Sequence, residues 1–205
     1  MPRLKILSLP AVLGLAVALA APAGAQTAVP AAGAAKNAAF ELDPKATRVA
    51  FTLGATMHTV HGTIRAERGS LRIDPATGTG TGEIVLDAAS AQTGNAARDK
   101  DMHQKVLETA KHPEIVWRID RVEGFPRDGA ARSARITLTG SLAIHGASHP
   151  LTVPAELTLS GDKATATAAL KIPYVAWGMA DPSSFVLRVD KEVAVEVHAV
   201  GRLGG

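Results

Sequence analysis

The stretch of sequence that decides the fold reads ITLTGSLAIH, from Ile136 to His145. Its large apolar residues and Gly140 stand at every second position, with threonine, serine, alanine or histidine between them. Successive side chains of a β-strand point to opposite faces, so this segment has one apolar and one polar face. Strands of parallel sheets are buried on both faces and lack this alternation. The segment therefore predicts an antiparallel strand with one solvated face.

The same period of two recurs along the chain, in segments 48–53, 152–159, 164–172 and 192–199. Short connections rich in Gly, Pro and Asp separate the segments, such as DPATG at 74–78 and SGD at 160–162. About eight short strands joined by turns of this kind predict an all-β barrel or sandwich.

One segment departs from this alternation. Between Asn95 and Ala110, Met102, Val106 and Leu107 fall at helical spacing, and charged residues cover the other sides. The pattern predicts one inserted amphipathic helix of three to four turns that ends before Pro113. We expect it to cap one end of the barrel or to pack on its flank.

The N-terminal residues have the three parts of a signal peptide. Arg3 and Lys5 precede an apolar run from Ile6 to about Ala21, and a small-residue cleavage site ends at Ala25. We expect residues 1–25 to be removed after about Ala25 and the protein to be exported to the periplasm. The alternative is an uncleaved N-terminal anchor.

Residues 26–39, mostly Ala, Pro and Gly, predict a flexible spacer, and residues 40–203 the β-domain. Loss of the leader leaves 20 basic against 19 acidic residues, and these are scattered, so we expect no nucleic-acid partner. The chain has no cysteine, which excludes disulfides, a thiol nucleophile and cysteine metal sites. The predicted domain is therefore held by its apolar core alone.

Many positions on the predicted inner face are small. A closed barrel of about eight strands is just wide enough to be filled by side chains or to hold one small ligand. Because empty apolar volume is costly, small inner residues predict a hollow barrel that binds an apolar ligand. The alternative is that they mark tight strand bends or close helix packing. These positions are Gly62, Gly140, Ala155, Ala164, Ala166, Ala168 and Ala199.

Several motifs, in order along the predicted domain, resemble the YceI-like family of secreted lipid-binding proteins. They are Asp43-Pro44 with Val49-Ala50-Phe51, Val60-His61-Gly62-Thr63-Ile64, Asp87-Ala88-Ala89-Ser90 with Thr93-Gly94-Asn95, Arg98-Asp99 with Met102-His103, His112-Pro113-Glu114-Ile115, Leu138 to Gly146, and Tyr174 to Met179. The resemblance implies an antiparallel lipocalin-like β-barrel around an elongated apolar cavity. It also implies a long-chain ligand such as a polyisoprenoid, an isoprenoid quinone or a fatty amide.

On this basis we expect a set of large apolar side chains to line the cavity and three polar side chains to meet the ligand head group. The head-group candidates are His61, Arg98 and His103. Aromatic residues of the set could equally be ordinary core. The cavity candidates are Phe51, Leu53, Val60, Ile64, Ile84, Leu86, Ile115, Trp117, Leu138, Leu142, Trp177, Phe185 and Leu187.

The leading hypothesis is a non-catalytic periplasmic carrier without a cofactor and without stable membrane insertion. The sequence also leaves a homodimer possible. No metal site is expected, because His58 and His61 point to opposite faces of a strand and no third ligand has diagnostic spacing. A lipid-modifying enzyme that uses Asp99 and His103, one helical turn apart, is an alternative, with Asp99 also a candidate partner of Arg98. A further alternative to the carrier hypothesis is an envelope-stress or interaction module.

Overall fold

The structure is a computed structural model, and it describes residues 38–204 except 57, 75, 76, 78 and 127–131. The predicted leader, most of the predicted spacer and most of the turn at 74–78 lie outside the described residues. The compact unit that contains the β-domain spans 34–205. Its strands are β1 (Ala38–Leu42), β2 (Arg48–Ala55), β3 (His58–Asp74), β4 (Thr79–Gln92), β5 (Glu114–Glu123), β6 (Ser133–Ile144), β7 (Ala147–Ser160), β8 (Lys163–Ile172) and β9 (Val193–Gly204).

Eight of these strands close into an antiparallel barrel. The hydrogen-bonded order runs β3-β2-β9-β8-β7-β6-β5-β4, and β4 pairs with β3 again to complete the ring. The predicted all-β antiparallel barrel is therefore confirmed. The predicted turn at 160–162 joins β7 to β8, with Gly161 at φ 62°.

The strand β1 is a ninth strand that lies between β3 and β9, in line with β2. It pairs with residues 70–73 of β3 and 201–204 of β9, whereas β2 pairs with 58–64 and 194–198. At the break between them, the buried Thr47 hydroxyl donates to the carbonyl of Val200 (3.2 Å) and accepts from its N–H (3.1 Å). The Thr47 side chain thus provides hydrogen bonds to the backbone N–H and carbonyl of Val200 where β1 ends and β2 begins.

The inserted helix is shorter than the three to four turns that the sequence predicts. The α-helix α1 covers Ala96–Asp101, with Asn95 as N-cap, and a π-helical turn follows at Met102–Val106. The N–H of Leu107 donates to the carbonyl of Met102 at 2.8 Å, and Glu108 then takes a left-handed φ of 46°. Val106 and Leu107, at the end of this wider turn, both line the inside of the barrel. Among the described residues, no helix is long and apolar enough to span a bilayer.

Buried side chains close one end of the barrel. Ile73, Val122, Phe125, Ile136 and Leu157 belong to one buried cluster there, which we call the closed end. A second cluster lies towards α1 and is formed by Ile115, Leu142, Ile144, Ile172, Tyr174, Met179 and Ala88. The space between the two clusters and beneath α1 holds the candidate site.

Candidate ligand-binding cavity

The barrel encloses a cavity of about 830 Å³. Every one of the nine strands contributes side chains to its wall, and almost all of them are aliphatic. Sites for small organic ligands typically measure about 300–1,000 Å³, so this cavity is large enough for a long chain. Side chains of β3 line it from His58 to Ile73, over nearly the full length of this 17-residue strand. The cavity is therefore long as well as apolar.

Eleven of the thirteen predicted cavity residues lie on this wall, ten of them on strands with the period-two pattern and Leu187 in the segment between β8 and β9. They are Phe51, Leu53, Val60, Ile64, Ile84, Leu86, Ile115, Trp117, Leu138, Leu142 and Leu187.

The other two predicted cavity residues, Trp177 and Phe185, lie elsewhere. Trp177 stacks on His149, with ring centroids 4.2 Å apart and planes 1° apart, and Phe185 is fully exposed. Both follow the end of β8 at Ile172, where the chain turns and alternation no longer determines which way a side chain faces. Met179, which the sequence analysis missed, is buried and lines the cavity from this segment.

A patch of alanines widens the cavity. Register pairs Ala155 with Ala168 across β7 and β8, and Ala166 with Ala199 across β8 and β9, and all four line the wall. Ala164 also lines it. A methyl group at each position leaves room that a larger residue would fill, as the small inner residues predicted.

The two glycines among the small inner residues have a different reason. A Cβ on Gly62 would meet the ring of Phe51, and a Cβ on Gly140 would meet the backbone carbonyl of Arg118. Glycine is needed at such positions because another group approaches the backbone closely. The alternative explanation for small residues thus holds for the glycines, and the volume explanation holds for the alanines.

The acidic, basic and histidine side chains that line the cavity come from segments at one end only. They belong to the β2–β3 hairpin, to α1 with its π-helical turn, and to the segment before β9, and we call them the mouth: His58, Arg98, Asp101, Lys105 and Asp181. Four of them are exposed and Arg98 is half-buried, whereas the closed-end cluster is buried. An amphiphile would therefore lie with its tail inside and its polar group at the mouth.

Hydrogen bonds join the hairpin to the segment before β9. The N–H of Thr56 donates to the carbonyl of Arg188 (2.9 Å), and the N–H of Asp190 donates to the carbonyl of Gly54 (2.9 Å). The Tyr174 hydroxyl donates to the carbonyl of Asp190 at 2.8 Å. Burial raises the pKa of Tyr174 to about 12, with a further contribution from the negative charges of Asp181 and Asp190. The phenol is thus a neutral hydrogen-bond donor in this wall of the mouth.

The mouth charges are largely paired within the protein. Lys105 forms an ion pair with Asp101 at 2.8 Å, and Lys191 forms one with Asp181. Hydrogen bonds from Lys191, and then from Ser183, hold the pKa of Asp181 at about 2. The two carboxylates and their lysines therefore leave little net charge for a ligand.

Of the three head-group candidates, only Arg98 reaches the cavity. Its Nε donates to the Thr93 hydroxyl (2.8 Å), and a terminal nitrogen donates to the Thr93 carbonyl (3.2 Å). His61 lies on the outer face of β3, because Val60 faces inwards, and its Nδ1 is 3.2 Å from the Thr52 hydroxyl. His103 does not line the cavity either, and its Nδ1 lies 3.4 Å from the Thr109 hydroxyl. Sequence reasoning missed His58 and Asp181 because their segments meet Arg98 only in the folded barrel. It also missed Asp101 and Lys105, although both lie on the same helical segment as Arg98.

The proposed acid–base pair of Asp99 and His103 is not assembled around the cavity. Asp99 Oδ1 accepts hydrogen bonds from the N–H (2.8 Å) and the hydroxyl (2.5 Å) of Thr93. Asp99 therefore fixes the segment that precedes α1. Arg98 shares Thr93 with it and makes no direct hydrogen bond to Asp99 among those of the described residues. Acid–base chemistry on a bound ligand needs both groups beside the cavity, and neither lines it.

A closed antiparallel barrel with a long apolar cavity and polar groups at one end defines a class of ligand-enclosing β-barrels. Within that class the chain belongs to the YceI-like family, because the family model for the YceI-like domain matches residues 40–201. The resemblance in the sequence motifs is thereby confirmed. No curated protein sequence matches the chain.

Solved structures share the fold. BcnA from Burkholderia cenocepacia superposes with a TM-score of 0.62 at 18% identity, over 78% of this chain and 98% of that one. A polyisoprenoid binding domain from Saccharophagus degradans, implicated in plant cell wall breakdown, gives 0.60 at 20% identity, over 80% and 98%. The YCEI protein of Campylobacter jejuni gives 0.58 at 17% identity, over 73% and 88%. At these identities the likeness concerns the fold.

Proposed function

We propose that this protein is a non-catalytic carrier that encloses a long-chain amphiphile and presents its polar end at the mouth. One observation carries the proposal: an apolar cavity of about 830 Å³ whose ionisable lining residues all lie at one end. A cavity of this size lined by aliphatic groups destabilises an empty protein, because its walls lack contacts that a ligand would supply.

The side chains of the cavity wall indicate the chemistry of the ligand's tail. Each buried methylene contributes about 0.8 kcal/mol, so a flexible hydrocarbon gains affinity along the whole cavity. The alanine patch and the aliphatic side chains offer a smooth surface without fixed polar partners, which suits a chain better than a ring system with several polar groups. An isoprenoid tail has this chemistry, and the Saccharophagus relative of similar fold is a polyisoprenoid binding domain.

The side chains of the mouth indicate the chemistry of the ligand's head group. Lys105 and Lys191 are already paired with carboxylates, and the guanidinium of Arg98 donates to Thr93. Thr93 is neutral, so Arg98 keeps its positive charge. A phosphate or pyrophosphate head would need several such unpaired cations close by. The mouth therefore favours an uncharged polar head, as in a quinone, an amide or an alcohol.

We also propose that the carrier works in the periplasm. The support is the N-terminal sequence, in which Arg3 and Lys5, the apolar run and the site at Ala25 follow the order of a signal peptide. Fractionation of the expressing cell tests this, with intact-mass and N-terminal peptide mass spectrometry of the exported chain. A mature N-terminus at about Gln26 is expected, and a cytoplasmic chain that retains Met1 would contradict it.

Native mass spectrometry of the exported protein, followed by lipid extraction, tests the carrier function. We expect one bound amphiphile with a long tail and an uncharged head. The matched variants are Leu53→Asp, which places a carboxylate in the cavity, and Thr52→Asp on the other face of the same strand. Leu53→Asp should lose the ligand and Thr52→Asp should keep it, provided that both retain the β-rich circular dichroism spectrum. Purification of a ligand-free protein that takes up no amphiphile from mixed lipids would overturn the proposal.

A further inference from the structure

A group of three polar side chains lies outside the cavity, where the turn after α1 meets the β6–β7 turn. Glu108, His112 and His145 each offer a ligand atom, and these atoms all lie within 4.8 Å of one another. It is the one such group of three among the residues that the structure describes. None of the three lines the cavity, and all are half-buried.

The backbone brings these side chains together by unusual conformations. Glu108 (φ 46°) and His145 (φ 51°) are the two non-glycine residues in the left-handed region within the described ranges. Gly146 follows at φ 76°, and a Cβ there would stand 2.7 Å from Cε1 of His112. At His145 the positive φ belongs to the two-residue turn His145-Gly146 between β6 and β7, a kind of hairpin turn in which both residues have a positive φ. Glu108 is in no such hairpin, and left-handed backbone at a non-glycine residue is costly there. These conformations direct the Glu108 carboxylate and the His145 imidazole towards the same point. The absence of a Cβ at Gly146 leaves room for the ring of His112.

The charges of the cluster suit a cation. Glu108 Oε2 lies 2.9 Å from His145 Nε2, and Oε1 accepts from Lys111 Nζ at 2.6 Å. These hydrogen bonds, first from Lys111 and then from His145, lower the pKa of Glu108, so the carboxylate stays ionised. The rings of His112 and His145 meet edge to face with centroids 5.2 Å apart. One oxygen and two ring nitrogens thus converge from two separate chain segments.

We propose that Glu108, His112 and His145 bind a divalent transition-metal ion, with Zn²⁺ as the best chemical match. Two imidazoles and one carboxylate are a known three-ligand set for zinc, in which water takes the fourth position. Imidazole nitrogen selects Zn²⁺, Cu²⁺ or Ni²⁺ over Mg²⁺ and Ca²⁺, which prefer oxygen ligands. The ion replaces the hydrogen bond between His145 and Glu108 and competes with Lys111 for the carboxylate.

Such an ion would join the turn after the π-helical turn to the β6–β7 turn of the barrel wall. The π-helical turn carries Lys105 and Val106 of the cavity wall, so the metal would restrain that wall from outside. A ligand that binds only the folded chain stabilises it against unfolding. This inference does not depend on the identity of the lipid.

Titration calorimetry of the untagged, metal-free mature protein with ZnCl₂ tests the site. We expect saturable one-to-one binding and a rise in the midpoint of thermal unfolding. His112→Gln and His145→Gln should each lose more than about tenfold in affinity. His198→Gln is the matched control, because His198 is exposed on β9 and belongs to no such cluster among the described residues. Circular dichroism shows whether each variant is folded.

Lys111→Met separates a metal site from an ordinary ion pair. Loss of the competing ammonium group frees Glu108 Oε1, so zinc should bind more tightly, whereas a purely structural role for the cluster would give no zinc effect. The proposal is overturned if the wild type shows no saturable binding. It is also overturned if His145→Gln binds as well as His198→Gln.

Discussion

The ring of Phe51 on β2 lies over Gly62, its cross-strand partner on β3. A Cβ on Gly62 would stand 2.6 Å from Cε2 of Phe51 and 2.7 Å from the backbone carbonyl oxygen of Gln92. An aromatic ring that covers a cross-strand glycine shields the bare backbone and fixes the register of the two strands. The ring can therefore lie against the wall of the cavity, and it takes less of the cavity's width than a ring that points to the centre.

We expect Gly62→Ala to lower the free energy of unfolding by about 1–3 kcal/mol, because neither the ring nor the carbonyl can move away without strain. Urea denaturation measures the change. Gly204→Ala is the control, since a Cβ there is 3.9 Å from the nearest atom, the Ala39 carbonyl oxygen. Phe51→Leu should recover part of the loss in the Gly62→Ala background, which a double-mutant cycle reports. Equal stability of the two alanine variants would show that the ring does not need the glycine.

The alanine patch predicts a substitution that blocks binding without unfolding the protein. Ala168→Phe places a ring in the cavity, whereas Ala169→Phe places the same ring on the outer face of β8. We expect Ala168→Phe to exclude the amphiphile while keeping the stability of the ligand-free barrel, because the ring occupies volume that is otherwise unfilled. Native mass spectrometry and urea denaturation of both variants check this. Full ligand occupancy in Ala168→Phe would contradict the placement of the tail beside β8.

The depth of the cavity predicts how affinity depends on tail length. In a series of amphiphiles with one head group, each added methylene should improve binding by about 0.8 kcal/mol, or about fourfold. The gain should stop when the tail reaches Val122 and Phe125, which line the closed end. Competition against a fluorescent fatty probe measures the series. Affinities that do not vary with tail length would mean that the chain is not taken into the barrel.

The alternation in the sequence predicted the barrel and most of its inner wall because a strand imposes a period of two on side-chain direction. It failed where the strand ended. Trp177 and Phe185 follow β8, and their directions depend on turns that local spacing does not encode. His61 was misplaced for a simpler reason, because the inward direction of Val60 already sends its neighbour outwards.

The polar sites were harder to predict because they form between distant segments. Glu108 and His145 are 37 residues apart and meet only when the β6–β7 turn reaches the end of the helix region. The left-handed conformation of Glu108 has no neighbouring glycine to signal it, and that of His145 is signalled only by Gly146 in the same two-residue turn. The mouth likewise gathers residues from three segments. Spacing rules detect ligands on one helix or strand, and they cannot detect a site that tertiary contacts assemble.

The buried phenol of Tyr174 predicts a specific loss of stability at alkaline pH. An unperturbed tyrosine has a pKa of about 10, and burial raises that of Tyr174 to about 12. The folded state therefore holds this proton more tightly than the unfolded chain does. The resulting stabilisation is complete below pH about 10, and it is lost as the pH rises towards about 12. Lysines titrate in the same range, so the comparison must be made with a variant.

In Tyr174→Phe we expect lower stability at neutral pH, because the hydrogen bond to the Asp190 carbonyl is lost, and a shallower decline between pH about 10 and about 12. Urea denaturation across this range gives both slopes. Tyr174 is the one tyrosine of the chain, so ultraviolet absorbance reports its ionisation directly. A phenolate that forms at its ordinary pKa in the folded protein, or parallel pH profiles of the two proteins, would show that the mouth does not bury the hydroxyl. A raised pKa with a shallower profile in the variant would establish Tyr174 as a buried, neutral hydrogen-bond donor in the wall of the mouth.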